Sequence, residues 1–485
     1  MKALKQLALG LVTLVALAMA LVGVQVVPTL VVPPPPSPPA WPTTGPEALV
    51  RLALAFDPEA ALGHVHELTA ERYAGRRAGT EGACLAADYI AARFRQVGLQ
   101  PAGDDGSYFQ QFTLNYLDLA ATPELALLNQ DGSVSQAFRH HQDFRELVGG
   151  RAGAGTVRGE LVYVGYAEAA DLSRIDLRGR LVLCQPANTR QAIERAISRG
   201  AAAVLAVADE ATIRRRGSYL PVGPGPAAPC LLVSAAAADR LLRAAGRSLD
   251  SASTVGQPFP TGVTVHVSVP LASNPHAQGR NVLGLWPGAD PALADQVLIL
   301  GAHYDHLGRD PDGTLYPGAI DNASGVAVLL EIARVWREQG YRPRLNVLFA
   351  AWDAEEAGLL GSAYYVAHPR YPLQQTRAMI QLDCVGGPDQ RLAVTQDARN
   401  LHAALLDSAA QLGLTLGLMD YEGGSDHASF SNAGVPAVML IGADVIPLIH
   451  VPTDTSAAVR AGPLHQAGVI VSLTLARLSS GAPFK

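Results

Sequence analysis

Along the second half of the chain, apolar and polar positions fall into two kinds of block. Short apolar runs of strand length lie at 281–286, 297–300, 345–351 and 378–382, and the last three lead into His, Asp or Glu. Between them, Val326, Leu329, Leu330, Ala333 and Trp336 recur at helix spacing after Asp321, and 360–367 reads as a further helix. Strand alternating with helix at these lengths predicts an α/β fold with a mostly parallel central sheet flanked by helices. Asp321 stands where the cap of its helix is expected.

The first half reads differently. From Glu47 to Leu99 the pattern is helical, with Ala87, Ile90, Ala91 and Phe94 on one face and Gly98 as the stop. A turn-rich loop, Tyr73 to Gly82, interrupts it and carries Arg76 and Arg77, which either hold substrate or only tie down the fold; the structural role is the one expected, since charges on loops are mostly solvated. Residues 142–264 hold short apolar strands at 161–165, 181–184 and 201–208, a helical stretch at 191–198 and a loop at 223–229. They predict a small separate domain acting as lid or spacer, without convergent catalytic residues. The expected layout is therefore 46–141 and 265–485 as two parts of one domain, with 142–264 inserted. No repeat at solenoid periods is present.

Residues 1–32 have lysines at 2 and 5 and then an uncharged stretch, of which 7–27 is long enough to anchor in a membrane. Ala18-Met19-Ala20 also fits a cleavable signal. Both predict export, with an anchor favoured by apolar length and the body outside the membrane. The proline tract in the 33–45 linker predicts a stiff spacer.

Composition narrows the function. Of 485 residues 49% are hydrophobic and 16% charged, and the formal charge is -6. No basic stripe exists to neutralise phosphates, which argues against nucleic acid. Cys84, Cys184, Cys230 and Cys384 lie far apart without paired spacing, so no zinc finger is indicated, although an exported chain has room for one or two disulfides.

Candidate chemistry gathers at the strand ends. His303 and Asp305 follow one apolar run, Glu355 and Glu356 follow another, and Asp383 follows a third, with Asp321 and His450 elsewhere. Singly each is ordinary, a core histidine, a helix cap or a solvated pair. Together, with no lysine nearby, they repel one another unless cations lie between them. A mixture of carboxylate and imidazole suits zinc or a similar transition metal rather than calcium or magnesium. Two ions need a shared ligand, and Asp321 is the natural bridge. Adjacent residues of an extended chain point apart, so one of Glu355 and Glu356 is expected to coordinate while the other faces water.

The runs H-Y-D-H from 303, D-N-A-S-G from 321, E-E at 355, L-D at 382 and H-V-P-T-D-T from 450, in that order, resemble the M28 family of di-zinc aminopeptidases. The G-R-R-A-G-T loop from 75 resembles that family's N-terminal segment, and 142–264 is similar to the β-rich protease-associated domain inserted in many members. The resemblance implies a zinc-peptidase fold and two Zn2+ per chain, acting on peptides with a free N-terminus. It implies that His303 and Asp383 hold one zinc, Glu356 and His450 the other, and Asp321 both. Glu355 is then the general base, and Asp305 orients His303. Ser425, Asp426 and His427 support the site, and His306 is a neighbour. One departure is Ile449, where several members have a tyrosine that steadies the oxyanion; Tyr421 is an alternative donor. Rival readings are a carboxypeptidase or glutaminyl cyclase on the same scaffold, or a receptor-like ectodomain without catalysis. No G-x-S-x-G supports a serine hydrolase.

Overall fold

Uninterrupted runs of Val, Leu, Ile and Ala form the middle of a nine-stranded sheet in the computed structural model, which describes residues 45–114, 116–218, 225–274, 276–420 and 424–480. Five strands matter for the site: β1 (Gln278–Trp286), β2 (Val297–His303), β3 (Asn346–Trp352), β4 (Thr376–Leu382) and β5 (Ala437–Gly442). Their spatial order is β1-β3-β2-β4-β5. The last four run parallel, and β1 is antiparallel to β3.

The parallel heart matches the expected fold class, and the flanks add antiparallel strands. Gln100–Pro101 and Phe109–Thr113 pair antiparallel with β1, and Leu392–Thr395 pairs antiparallel with β5. The sheet is therefore mixed, parallel where the candidate ligands gather.

Every residue of β2 and β3 is buried, as expected for parallel strands covered on both faces. Leu298, Leu300 and Ala302 of β2, with Val347, Phe349 and Ala351 of β3, face one core that also contains the helix α1 (Ser324–Glu338). Their alternating neighbours Val297, Ile299, Leu348, Ala350 and Trp352 face the other. Gly301 in β2 is small because a Cβ there would lie 2.7 Å from the Gln381 Oε1 of β4.

The pattern-derived elements fall close to the observed ones; the helix expected at 360–367 is Leu360–Ala367. The helical 47–99 region resolves into Pro46–Leu54, Pro58–Leu68 and Glu81–Val97, the last ended by Gly98 at φ 81. The cap expectation fails: Ala323 precedes α1, no side chain caps it, and Asp321 has φ -112 and ψ 98. Asn322 takes over locally, its Oδ1 accepting the Gly325 N–H at 2.9 Å.

A second, eight-stranded sheet is built from strands between Glu124 and Val269. It reaches beyond the expected 142–264 at both ends. The reason is pairing: Leu117–Leu119 and Leu271–Ser273 zip together antiparallel where the chain enters and leaves. It is not purely β, since Thr189–Ser198 and Ala235–Arg243 are helices packed on it.

The expected leader or anchor in 1–32 and the linker as far as residue 44 lie outside the described residues, as does Tyr421. Among the described residues no helix is long and apolar enough to cross a membrane. All four cysteines are free thiols.

Candidate metal centre

Parallel strands bring their carboxyl ends to one edge, and here that edge carries the chemistry. β2 ends on His303, paired in register with Trp352 at the end of β3, so Glu355 and Glu356 emerge beside it. β4 ends at Leu382 and delivers Asp383. Asp321 arrives from the irregular turn before α1, and His450 from the loop after the Ile446–Leu448 turn.

The side chains sort into two groups about Asp321. His303 Nε2 lies 3.3 Å from Asp321 Oδ1 and 3.3 Å from Asp383 Oδ1. His450 Nε2 lies 3.0 Å from Asp321 Oδ2 and 3.3 Å from Glu356 Oε2. One carboxylate thus offers one oxygen to each group, the arrangement a bridging ligand needs. Glu355 converges with His303 and Asp383, their ligand atoms lying within 4.8 Å of one another, while Glu356 turns to the opposite group. His306 also reaches in, its Nδ1 2.9 Å from Glu356 Oε1.

Hydrogen bonds hold these groups in place. The buried Asp305 carboxylate accepts the Glu355 N–H at 3.0 Å and the Glu356 N–H at 3.3 Å. Its backbone carbonyl lies 3.3 Å from His303 Nδ1, leaving Nε2 to face the carboxylates. Asp454 accepts the Ile320 and Asp321 N–H groups at 2.7 and 3.2 Å, fixing the turn that presents Asp321. Asn322 ties that turn to β4, accepting the Cys384 N–H at 3.1 Å and donating to Leu382 O at 2.8 Å. Arg76 is fully buried rather than solvated. It donates to the carbonyls of Tyr304, Leu68, Pro317 and Gly318, clasping the loops on both sides of the ligands.

The charges answer one another. Burial works against a charged His450, but Glu356 and Asp321 outweigh it and raise the imidazole to about 10. Likewise burial opposes a proton on His303, yet Asp383 and Glu355 hold it well above the usual imidazole range. Burial would raise Asp321, but hydrogen bonds from His303 and His450 keep it well below the carboxylate range. Glu355 goes the other way: burial pushes it well up, His303 opposes, and Glu356, Asp383 and Asp426 add to the rise. The fold therefore draws positive charge into the cluster, here as imidazolium protons. A carboxylate and imidazole donor set of this kind fits two divalent cations.

A loop of the second sheet closes the site. The Arg216 N–H donates to His450 O at 2.9 Å, and Arg216 O lies 3.2 Å from His450 Nδ1, so this loop sets which nitrogen faces Asp321. The Arg216 guanidinium is itself anchored, its Nε 2.6 Å from Asp310 Oδ1. Ser218 donates to Glu356 Oε2 at 3.1 Å. A cavity of about 240 Å³ opens over the cluster, lined by His303, Glu355, Asp383, Ile449 and Arg215 among others. The 142–264 segment is thus more than a spacer, because its residues touch a candidate ligand.

Residues 281–475 match the profile of Peptidase family M28. Over that stretch the chain is similar to an M28 peptidase domain. Leupeptin-inactivating enzyme 1 of Streptomyces exfoliatus is 35% identical over 162 residues, which cover 33% of this chain and 35% of that protein. Probable glutamate carboxypeptidase VP8 of Zea mays is 26% identical over 481 residues, covering 84% of this chain and 64% of the relative. The chain thus aligns with less than two thirds of either relative's length. Among solved structures, an aminopeptidase from Aneurinibacillus sp. strain AM-1 superposes with a TM-score of 0.66 at 24% identity, covering 88% of this chain and 95% of that one, and so shares its fold.

Within the matched stretch all seven expected site residues, His303, Asp305, Asp321, Glu355, Glu356, Asp383 and His450, stand together. Of the supporting trio, Asp426 is buried and accepts from Gln381 Nε2 at 2.8 Å, while His427 turns to Asp397 at 3.3 Å. Sequence reasoning gave no role to Asp454, although it sits inside the H-V-P-T-D-T run, nor to Arg215, Arg216 and Ser218. An arginine run that ends 87 residues before His303 carries no signal that it will fold back onto His450.

Proposed function

We propose that the protein is a two-zinc exopeptidase that removes amino-terminal residues from peptides. The observation that carries this reading is Asp321, whose two oxygens face two separate ligand groups. In it, His303 and Asp383 hold one zinc, Glu356 and His450 the other, and Asp321 both. Two zinc ions so held would supply a more acidic water and a polarised scissile carbonyl.

The chain's own groups do the rest. Glu355 lines the cavity with no hydrogen bond fixing its carboxylate to the protein among the described residues, so it is free to take a proton from water and return it to the leaving amine. Its raised proton affinity suits both halves of that task. Asp305 keeps it aimed by holding its backbone N–H. A substrate α-ammonium is attracted by Glu355, Asp383 and Glu356, which favours chain ends over internal bonds. Ile449 contributes an apolar wall and no oxyanion donor.

Metal analysis of purified protein, paired with aminoacyl chromogenic substrates, tests the reading. The expected result is two zinc ions per chain and chelator-sensitive release of the amino-terminal residue. Glu355→Gln is expected to keep both ions and lose about 10²–10⁴-fold in kcat; near-normal turnover would remove Glu355 from its role. The kinship to a probable glutamate carboxypeptidase favours a second reading, release of carboxy-terminal residues, which N-acetylated peptides would reveal. A glutaminyl cyclase is separated by metal count, since one ion would suffice for it. Export, with the body held outside a membrane through residues 7–27, is supported by the uncharged N-terminal stretch. Fractionation that leaves the protein in the cytosol would refute it.

A further inference from the structure

The cavity over the ligand cluster has three kinds of wall. Its floor is acidic, from Asp321, Glu355, Glu356 and Asp383, and one side is apolar, from Met439, Ile441, Ile446 and Ile449. Its wall also includes Arg215, the one lysine or arginine among the described residues that line it. Arg215 belongs to the second sheet's segment, just after the Glu210–Arg214 helix, and is tied to the matched stretch by its Nε, which donates to Ile449 O at 3.2 Å.

That tether uses one nitrogen of the fork. No described carboxylate pairs with the two terminal nitrogens, although most arginines nearby are paired, Arg216 with Asp310 and Arg77 with Asp118. Of the floor's acids, Asp383, Glu356 and Asp321 lie against His303, His306 and His450, and Glu355 is left facing the cavity. A half-buried guanidinium in the wall of the cavity, beside apolar side chains, is suited to bind a carboxylate through two parallel hydrogen bonds. The acids that attract a substrate ammonium and the arginine that would take a carboxylate thus line one cavity.

We infer that Arg215 binds a carboxylate of the substrate, so that the preferred substrates are peptides carrying one a short distance from the scissile bond. Two sources share that chemistry: the terminal carboxylate of a dipeptide, or an acidic side chain next to the cleaved bond. The inference rests on the peptidase reading and narrows its substrate class. It also gives the second sheet a part in selecting substrate.

The test uses full-length, zinc-loaded protein and three substrates: Leu-Ala, its amide Leu-Ala-NH2, and Leu-Glu-NH2. The wild type is expected to favour at least one carboxylate-bearing peptide over Leu-Ala-NH2 by about tenfold or more in kcat/KM, the value of one charge-assisted hydrogen-bonded contact. Preference for Leu-Ala identifies the terminal carboxylate, and preference for Leu-Glu-NH2 the acidic side chain. Arg215→Gln should bring the ratio close to one, mainly through KM, and Arg215→Lys should recover part of it. A wild-type ratio near one in both comparisons, or a ratio unchanged in Arg215→Gln, overturns the inference. If no substrate is turned over, the peptidase reading fails instead. Calorimetric binding of the same three peptides to wild type and Arg215→Gln then decides on Arg215 alone, by the same ratios.

Discussion

Asp321 and Asp305 show how single residues divide the work. Asp321 faces both ligand groups, whereas Asp305 faces the scaffold, accepting two N–H groups from the Glu355-Glu356 pair and backing His303. Asp305→Ala therefore leaves both N–H groups without their acceptor and is expected to weaken zinc binding or activity by about 10–100-fold, measurable by competition with a chelating dye. The candidate ligands were legible in the sequence as a set, because several His, Asp and Glu at successive strand ends with no lysine nearby repel one another unless cations lie between them. Their supports were less so. Arg76 reads as a loop charge, yet burial with four carbonyl partners makes it a clasp, and nothing local announces those partners.

Elements position these residues through close approach. α1 can start against the end of β4 because Gly325 has no side chain; a Cβ there would lie 2.5 Å from Leu382 O. The connection between the second sheet and His450 is equally tight. Arg216 pairs with Asp310 at one end while its backbone holds His450 at the other, and both side chains of the pair are buried. Asp310→Asn removes one of the two carboxylates facing a buried guanidinium, the other being Asp118 at 3.4 Å. It is expected to cost stability, at most the roughly 3–5 kcal/mol of a fully broken buried pair, and to lower zinc content from two toward one per chain as His450 loosens. Denaturant melts and metal analysis of the variant check both. The strands and helices around this contact were foreseen from periodicity, but the contact was not, since Arg216 and His450 are 234 residues apart.

For the molecule as a whole, the cluster couples metal to folding. Chelator-treated protein is expected to unfold at a lower temperature, because ions that bind only the folded state stabilise it by mass action, about 2.7 kcal/mol per site at a hundredfold excess over Kd. Its pH dependence follows from His450. The folded imidazole is raised to about 10 from an unfolded value near 6.5, so its contribution is complete below about 6.5 and is lost as pH rises toward 10. Metal-free protein should therefore lose stability across that interval, with His303 acting in the same direction. Urea midpoints measured with and without zinc check it; a flat profile for the metal-free form would show that the imidazoles do not carry the compensating charge.

The chain's order of apolar and polar residues determined the α/β class and most element positions, and its motifs pointed to the residues that gather at the candidate metal centre. It could do so because strand burial and metal-ligand chemistry depend on residue type and near neighbours. Tertiary structure decided that Asp321 splits its oxygens rather than capping its helix, that the second sheet spans 124–269, and that Arg215, Arg216 and Ser218 meet the site. Those outcomes depend on which segments, far apart in the chain, share one edge of a sheet, and no local pattern encodes that.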